Sequence, residues 1–297
     1  MRRKQEQIFS RLEEHEPDPG PMPTAPAIDH EASAKRRASV FPAAPSLKAN
    51  LSAQTCLGAK EEISEAFWNS FVLITPGTFL MGSRECEIGR GDDEKLHEVT
   101  ITKPFYIQRV PVTRELWKAL MGMEPAFFQA PQEQLPVESV SWNECTEFLR
   151  RLNGLKDMGF RLPTEAEWEM ACRAETTSAF ANGEIGELYC GRDPSLSQMG
   201  WYCGNSGRKT RPVGCKNPNG WGLHDMHGNI GEWCRDWYGQ YCARPATDPV
   251  GPGSGAGKVV RGGSWFASAK NCRSAARFFR PPNSKSNFIG LRLARDC

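Results

Sequence analysis

The sequence predicts an α+β domain with sparse regular structure and a large face built from loops. Three observations predict it: two helix-start signatures in the middle of the chain, short alternating strand-like segments, and a stretch over residues 175–297 that is rich in Gly, Asn, Asp, Pro, Ser and aromatic residues. Loops longer than about 15 residues are uncommon unless they are functional or have packing of their own. We therefore expect these loops to pack on themselves around buried indole rings.

The charge balance and the apolar runs exclude two classes of partner. The 297 residues contain 37 Lys and Arg against 35 Asp and Glu, which gives a formal net charge of +2. Binding driven by phosphate contacts needs a basic excess, so no nucleic-acid partner is expected. The longest purely aliphatic or aromatic runs, such as residues 71–74, are far shorter than the roughly 20 residues that span a bilayer. No direct membrane insertion is therefore expected.

The first part of the chain differs in composition from the rest. All nine Trp lie after residue 65, and seven Pro fall within the first 50 residues. Such a segment has little to fill a core and much that resists regular structure. The sequence therefore predicts a disordered or weakly structured tail over residues 1–65 and one compact domain over residues 66–297.

Within this domain the strand and helix signals follow one another along the chain. Residues 99–102 and 105–107 alternate like half-buried strands, and a helix is predicted over residues 113–120. Ser141 and Thr164 each begin a capping box, in which the hydroxyl accepts a bond from a backbone amide and a Glu three residues later bonds back. After residue 174 the helix signal stops.

The eleven cysteines are irregularly spaced and odd in number. No C-x-x-C pair and no zinc-type spacing of Cys and His occurs, so neither a structural zinc site nor a disulfide framework is predicted. The residues after Met1 are charged and lack the apolar stretch of a secretion signal. As written, the chain is expected in a reducing cytoplasm. Surface or secreted display stays open if a signal lies upstream or another export route is used.

Two neighbouring groups of residues are candidate metal ligands. Asn229 and Glu232 offer amide and carboxylate oxygens on one turn, which are ligands of the kind that calcium takes. The alternative is that both side chains bond buried backbone groups. His224, Asp225 and His227 resemble part of an iron site with two histidines and one carboxylate, and the alternative there is a polar turn. Calcium is the one cofactor kept as a candidate.

Seven motifs follow one another over about residues 70–295. They are residues 71–83, 111–113, 136–142, 161–169, 218–233, 261–265 and 289–292. Together they resemble the formylglycine-generating enzyme, or sulfatase-modifying factor, family. The resemblance implies a C-type-lectin-like fold with sparse secondary structure, which agrees with the loop-rich pattern. Function is carried by sites rather than by folds, so the resemblance alone does not define an activity.

The oxidising members of this family use two cysteines five residues apart after a Gly-Gly-Ser motif, where they bind copper(I) as suits soft thiolates. When residues 275–277 are aligned with the family's Ala-Ala-Arg, those positions fall on Ala269 and Ser274. Cys272 is out of register and has no partner at the required spacing. The alignment therefore gives no catalytic residue and predicts no copper. A formylglycine-generating or related metal-dependent oxidase that acts on a protein or peptide thiol is the alternative function.

The sequence also resembles variable proteins of diversity-generating retroelements, whose C-terminal segments alternate framework residues with positions mutated at asparagine codons. The corresponding segment is 262–292. Its framework candidates are Gly262, Gly263, Ser264, Trp265, Cys272, Arg273, Ser274, Arg277, Ile289, Gly290 and Arg292. The candidate ligand-binding residues, each reachable from an asparagine codon by changing adenines, are Phe266, Ala267, Ser268, Phe278, Phe279, Arg280, Ser284, Ser286 and Phe288. The resemblance implies a binding protein that displays a diversified surface to a protein or cell-surface ligand.

Three of these residues favour the interpretation on physical grounds. Phe278, Phe279 and Arg280 lie in a polar, turn-rich stretch where periodicity demands no bulky side chain. Exposed aromatic and arginine side chains anchor interfaces, and aromatic residues with Ser and Asn dominate evolved binding loops. The alternative is that the two phenylalanines pack under the loop as core.

Overall fold

A computed structural model describes residues 65–125, 127–128, 134–155 and 158–297 of the chain. All of them lie in one unit of the chain, residues 44–297. The tail predicted over residues 1–65 lies outside the described residues, apart from Glu65. Among the described residues, no helix has the length and apolar character needed to cross a bilayer.

The regular elements are short and are separated by long loops. The helices are α1 (Glu65–Trp68), α2 (Arg114–Met121), α3 (Trp142–Leu155), α4 (Glu165–Arg173) and α5 (Leu196–Met199), with a 3-10 helix over Ala269–Cys272. The strands are β1 (Phe71–Ile74), β2 (Gly77–Met81), β3 (His97–Ile101), β4 (Phe105–Gln108), β5 (Phe160–Arg161), β6 (Gly231–Trp237), β7 (Ala246–Thr247), β8 (Lys258–Arg261), β9 (Arg277–Arg280), β10 (Ile289–Gly290) and β11 (Ala294–Asp296).

The three predicted helices begin where their capping residues lie. Thr113 Oγ1 accepts a bond from the amide of Leu116 at 3.3 Å and caps α2. The Ser141 hydroxyl accepts from the amide of Glu144 at 3.2 Å, and the Glu144 carboxylate accepts from the Ser141 amide at 2.9 Å. Thr164 forms the same reciprocal arrangement at the start of α4. These bonds satisfy amides that have no partner within the helix, which confirms the helix starts.

The helix signal does not stop completely after residue 174. A single turn, α5, follows Asp193, whose Oδ1 accepts from the amide of Leu196 at 2.7 Å. One turn has no apolar periodicity that a sequence pattern could display. The difference therefore arises from local side-chain capping.

The strands form three small sheets, with strand orders β1-β4-β11-β5, β10-β6-β8-β9 and β2-β3-β7. In the first sheet β1 and β11 both pair antiparallel with β4, so the end of the chain pairs with an early strand. In the second sheet β8 lies between β6 and β9, antiparallel to both, and β10 runs parallel to β6. The second sheet thus positions the C-terminal segment.

Indole rings connect parts of the chain that are distant in sequence. Trp168 and Trp233 are completely buried. The Trp168 Nε1 donates to Glu232 Oε2 at 2.7 Å, and the Trp233 Nε1 donates to the carbonyl of Val140 at 3.0 Å. A buried indole adds a large apolar contact area, and its N–H then needs a polar partner. Buried indoles therefore join a helix, a strand and the segment before α3.

Candidate functional site

Four buried arginines anchor the C-terminal segment to distant parts of the chain. They are Arg261, Arg273, Arg277 and Arg292, and each faces a buried glutamate. Arg277 donates through Nε and Nη2 to the two carboxylate oxygens of Glu165, at 2.7 and 2.8 Å. Arg273 donates through Nη2 and Nη1 to the two carboxylate oxygens of Glu94, at 2.6 and 2.8 Å. Paired, charge-assisted bonds fix both distance and orientation, so the segment's backbone has a defined position.

Burial separates the framework candidates of the segment from its candidate ligand-binding residues. All eleven framework candidates are buried, and none of the nine candidate ligand-binding residues is. Phe266 and Phe279 expose 45% and 40% of their surface, and Arg280 is also exposed. The half-buried residues are Ala267, Ser268, Phe278, Ser284, Ser286 and Phe288.

The first of two groups among these nine residues surrounds Trp265. The Trp265 and Phe266 rings meet edge to face, with their centroids 5.5 Å apart. The Trp265 Nε1 donates to the carbonyl of Asn287 at 2.9 Å, which holds residues 286–288 beside Trp265. We call Phe266, Ala267, Ser268, Ser286 and Phe288 the Trp265 group.

The second group lies on β9 and consists of Phe278, Phe279 and Arg280. The Phe279 ring packs on Tyr238, with their centroids 4.6 Å apart, whereas Phe278 packs against the largest core cluster. The core alternative therefore applies to Phe278 in part and not to Phe279. Arg280 pairs with Lys258, the first residue of β8, while the Trp265 group follows its last residue. The two groups consequently lie near opposite ends of β8, and Ser284 lies in the turn that follows β9.

Two aromatic residues outside the segment extend the Trp265 group. The Phe128 ring meets Trp265 edge to face at 5.3 Å, and its neighbour Phe127 exposes 63% of its surface. Glu138 Oε1 accepts from the amides of Phe127 and Phe128, at 2.6 and 3.2 Å. The sequence patterns did not place Phe127 and Phe128 among the candidate site residues. The available signal was two adjacent aromatic residues between two predicted helices.

The two positions aligned with the catalytic cysteines lie inside the protein. Ala269 and Ser274 are both completely buried. The Cys172 Sγ lies 3.7 Å from the Ser274 hydroxyl, and burial raises the pKa of Cys172 to about 12. Burial also raises the pKa of Cys272 to about 12. Because the thiolate is the nucleophile and the metal ligand, neither buried thiol is in its reactive form at neutral pH.

The polar atoms of Asn229 and Glu232 have protein partners. Glu232 Oε1 accepts from Arg292 Nη2 at 2.7 Å, and Oε2 accepts from Trp168 Nε1 at 2.7 Å. Asn229 accepts from the amide of Arg211 at 2.9 Å and donates to its carbonyl at 3.0 Å. A guanidinium on the carboxylate occupies the place that a cation would need. This pair therefore does not fit the calcium site that the sequence predicts, and the alternative of bonded buried groups fits.

The two histidines of the second candidate metal group are also bonded to backbone. His224 Nδ1 lies 2.8 Å from the carbonyl of Lys216. His227 Nδ1 lies 2.9 Å from the carbonyl of Cys272, and Nε2 accepts from the amide of Ala181 at 3.1 Å. Burial lowers the pKa of His227 to about 4, so the ring is neutral. The described residues contain no cluster of three His, Cys, Asp or Glu side chains placed to hold a metal.

Cys190 and Cys203 form a disulfide, so the expectation that the cysteines form no bridge is wrong for this pair. The bridged loop lies directly against the Trp265 group. The amide of Cys203 donates to the carbonyl of Ala267 at 3.0 Å, and the amide of Ala269 donates to the carbonyl of Tyr189 at 2.8 Å. Two cysteines among eleven irregularly spaced ones carry no pairing signal, because disulfide connectivity depends on the fold.

Comparisons with known proteins bear on the family and the fold of the chain. Residues 60–297 match the sulfatase-modifying factor enzyme 1-like domain family. A formylglycine-generating enzyme of Streptomyces coelicolor is 38% identical over 180 residues, which cover 54% of this chain and 53% of the relative. The chain spans about half the length of the curated relatives it matches.

Two solved structures have a similar fold. Treponema denticola variable protein 1 has a TM-score of 0.69 and 29% identity, and the match covers 76% of this chain and 95% of that one. PvdO from Pseudomonas aeruginosa has a TM-score of 0.68 and 29% identity, with 76% and 94% covered.

Proposed function

The chain belongs to the sulfatase-modifying factor enzyme 1-like family and has a C-type-lectin-like fold, and we propose that it is a ligand-binding protein rather than an oxidase. In this proposal, the segment 262–292 displays a diversified surface on a rigid scaffold. The ligand is a protein or another cell-surface molecule. The likeness to a variable protein of Treponema denticola supports this choice within the family.

The observation that carries the proposal is the division of the segment by burial. The framework candidates are buried and the candidate ligand-binding residues are not. A surface that tolerates many side chains must leave the fold to other residues, and here the buried arginine–glutamate pairs have that role. Replacing an exposed side chain away from the packed core changes stability by roughly 0.5 kcal/mol or less.

The Trp265 group is the stronger of the two candidate contact surfaces. Phe127, Phe128 and Phe266 gather around the buried Trp265, and two of the three are well exposed. Aromatic side chains at the centre of an interface carry a large share of binding energy. The amide of Cys203, in the Cys190–Cys203 bridge, donates to Ala267 of this group. A disulfide is typical of oxidising compartments. That observation favours display outside a reducing cytoplasm.

The alternative function is oxidation of a protein or peptide thiol. It is supported by 38% identity to a formylglycine-generating enzyme over part of the chain. It is opposed by Ala269 and Ser274 at the aligned cysteine positions. The high pKa of the buried Cys172 and Cys272 also opposes it.

The test is capture of surface proteins by the immobilised full chain, compared among the wild type and two variants. The double variant Phe266→Ser/Phe127→Ser removes the exposed ring of the Trp265 group and the exposed ring of Phe127 beside it. Leu73→Ser is the matched control, since Leu73 is 47% exposed on β1. We expect the wild type and the control to capture the same protein. The double variant should bind it at least about tenfold more weakly, because each aromatic anchor that a ligand buries contributes about 2 kcal/mol or more.

A second assay separates this proposal from the alternative. The wild type is incubated with copper(I), oxygen and a cysteine-containing peptide, and the peptide is analysed by mass spectrometry. The proposal predicts no formylglycine. Robust formylglycine formation with Cys272 intact would refute the binding function, as would capture that the double variant leaves unchanged.

A further inference from the structure

A cavity of about 410 Å³ opens beside the C-terminal end of β6. It lies between the first residues of α4 and the loop over residues 239–252. We call it the β6 cavity. Its volume is at the lower end of the range for small-molecule sites, which is roughly 300–1,000 Å³. None of the nine candidate ligand-binding residues lines it.

The carboxylate of Asp236 lies in this cavity without a counter-ion. Asp236 is 4% exposed, and its Oδ2 accepts from the amide of Glu165 at 3.0 Å, at the start of α4. Its other oxygen has no hydrogen-bond partner among the described residues, and no described Lys or Arg forms an ion pair with it. Burial, followed by the nearby charge of Glu165, raises the pKa of Asp236 to about 7. This is the behaviour of a buried carboxylate that lacks a cation.

The second carboxylate of the cavity is already neutralised. Arg277 bonds both oxygens of Glu165, and Arg261 Nη1 lies 3.5 Å from Glu165 Oε1. The positive charge of Arg277 is thus used within the protein. In the part of the chain that the structure describes, Asp236 is the cavity carboxylate that has no ion-pair partner.

Tyr241 presents a second polar atom that lacks a partner. Its hydroxyl oxygen is buried and has no hydrogen bond among the described residues. Its ring is fixed between His97, with their centroids 4.8 Å apart, and the Arg277 guanidinium, 3.6 Å from the ring centroid. A buried hydroxyl without a hydrogen bond costs roughly 1–3 kcal/mol. This hydroxyl is buried and is not reachable from the cavity, so the partner that the cavity lacks is a counter-ion for Asp236.

The remaining walls define the rest of the ligand. Trp237, Ala246, Pro249, Val250 and Pro252 give apolar surface. A lone carboxylate attracts a cation, and an aromatic wall favours an organic cation over a hydrated metal ion. The described residues also contain no three-membered group of metal-binding side chains. We propose that the β6 cavity binds a small primary ammonium ion with an apolar body, for which Asp236 is the counter-ion.

The test uses 2-phenylethylammonium as the probe and 2-phenylethanol as its neutral analogue. Binding to the full chain is followed at pH 8 by NMR, through the Trp237 indole resonance, or by calorimetry. We expect saturable binding of the ammonium and binding of the alcohol that is at least about tenfold weaker, because a charge-assisted hydrogen bond is worth about 1.5–3 kcal/mol.

Three variants make the result specific. Asp236→Asn removes the charge and keeps an oxygen that can accept from the Glu165 amide, and it should weaken ammonium binding about tenfold or more. Tyr241→Phe removes a buried, unsatisfied hydroxyl that the cavity does not reach, so it should fold at least as stably as the wild type and leave ammonium binding unchanged. Asp296→Asn removes the same charge at an exposed position and should leave binding unchanged.

Equal affinity for the ammonium and the alcohol would overturn the proposal. So would unchanged affinity in Asp236→Asn, or no binding at millimolar probe. Because the comparison between the ammonium and the alcohol uses the wild type, a misfolded Asp236→Asn protein would not remove the test. Neither probe depends on the Trp265 group, so this proposal and the proposed function succeed or fail separately.

Discussion

Glu232 and Arg292 form a completely buried, bidentate ion pair that joins β6 to the residues after β10. Arg292 Nη2 donates to Glu232 Oε1 at 2.7 Å, and Arg292 Nε donates to Oε2 at 2.9 Å. Arg292 also donates to the carbonyls of Gln108 and His224. One guanidinium therefore connects three separate parts of the chain. The same contact accounts for the poor fit of a calcium ion at this carboxylate.

Arg292→Met is expected to lower the free energy of unfolding by about 3–5 kcal/mol, because it leaves the Glu232 carboxylate buried without a counter-ion. Adding Glu232→Gln should restore part of that loss, since the uncompensated charge disappears. Denaturant titration of both variants measures the coupling. A loss below about 1 kcal/mol in Arg292→Met would contradict the role we assign to this pair.

Calcium is expected to leave stability unchanged. A calcium site with a dissociation constant of about 10 µM would raise the free energy of unfolding by about 2.7 kcal/mol at 1 mM calcium. Thermal unfolding with 1 mM calcium and with EDTA measures this directly. A rise in Tm with calcium that Glu232→Gln abolishes would show that calcium binds at Asn229 and Glu232.

His227 is expected to make stability fall on acidification. Its pKa is about 4 in the folded protein against 6.5 for an ordinary histidine, so the unfolded chain binds the proton more readily between these values. The stabilisation is complete above pH 6.5 and is lost as the pH falls towards 4, by up to about 3 kcal/mol. Protonated Nε2 would face the Ala181 amide, which is also a donor.

The comparison of wild type with His227→Gln at each pH isolates this contribution. The comparison is needed because Asp236 gives a pH dependence of opposite sign. Its pKa is raised to about 7, so the folded state holds the Asp236 proton more tightly than the unfolded chain does. The contribution of Asp236 to stability therefore falls as the pH rises from about 4 to 7. A difference between the two proteins that does not change between pH 7 and pH 4 would show that His227 does not titrate in this way.

The Cys190–Cys203 bridge is expected to stabilise the Trp265 group. Replacing both cysteines by Ser should cost about 3 kcal/mol for a loop of this length. Hydrogen exchange should accelerate at the amides of Ala269 and Lys270, which donate to the carbonyls of Tyr189 and Leu188, directly before the bridged loop. Cys86→Ser, at an exposed free cysteine, is the control. Unchanged hydrogen exchange at the two amides would show that the bridge does not stabilise the binding segment.

Much of the fold could be predicted from local sequence signals. The capping boxes at Ser141 and Thr164 act over three residues, so the sequence displays them directly. The alternation of framework and candidate binding residues in 262–292 is also a local pattern, and the burial of the segment follows it.

The partners of these residues could not be predicted. Phe128 meets Trp265 across 137 positions of sequence, and Arg292 meets Glu232 across 60. Cys190 and Cys203 are close in sequence, yet nothing in their spacing distinguishes them from the other cysteines. Contacts of this kind depend on how the loops pack, which a single sequence does not encode as a local pattern.

The central claim is that the exposed residues of the segment choose the ligand while the buried ones hold the fold. The most direct measurement replaces the nine candidate ligand-binding residues by those of another family member and then compares the captured partner. We expect the partner to change to that of the donor and Tm to stay within about 5 °C, because only exposed and half-buried positions change. Capture of the original partner by the exchanged protein would contradict it.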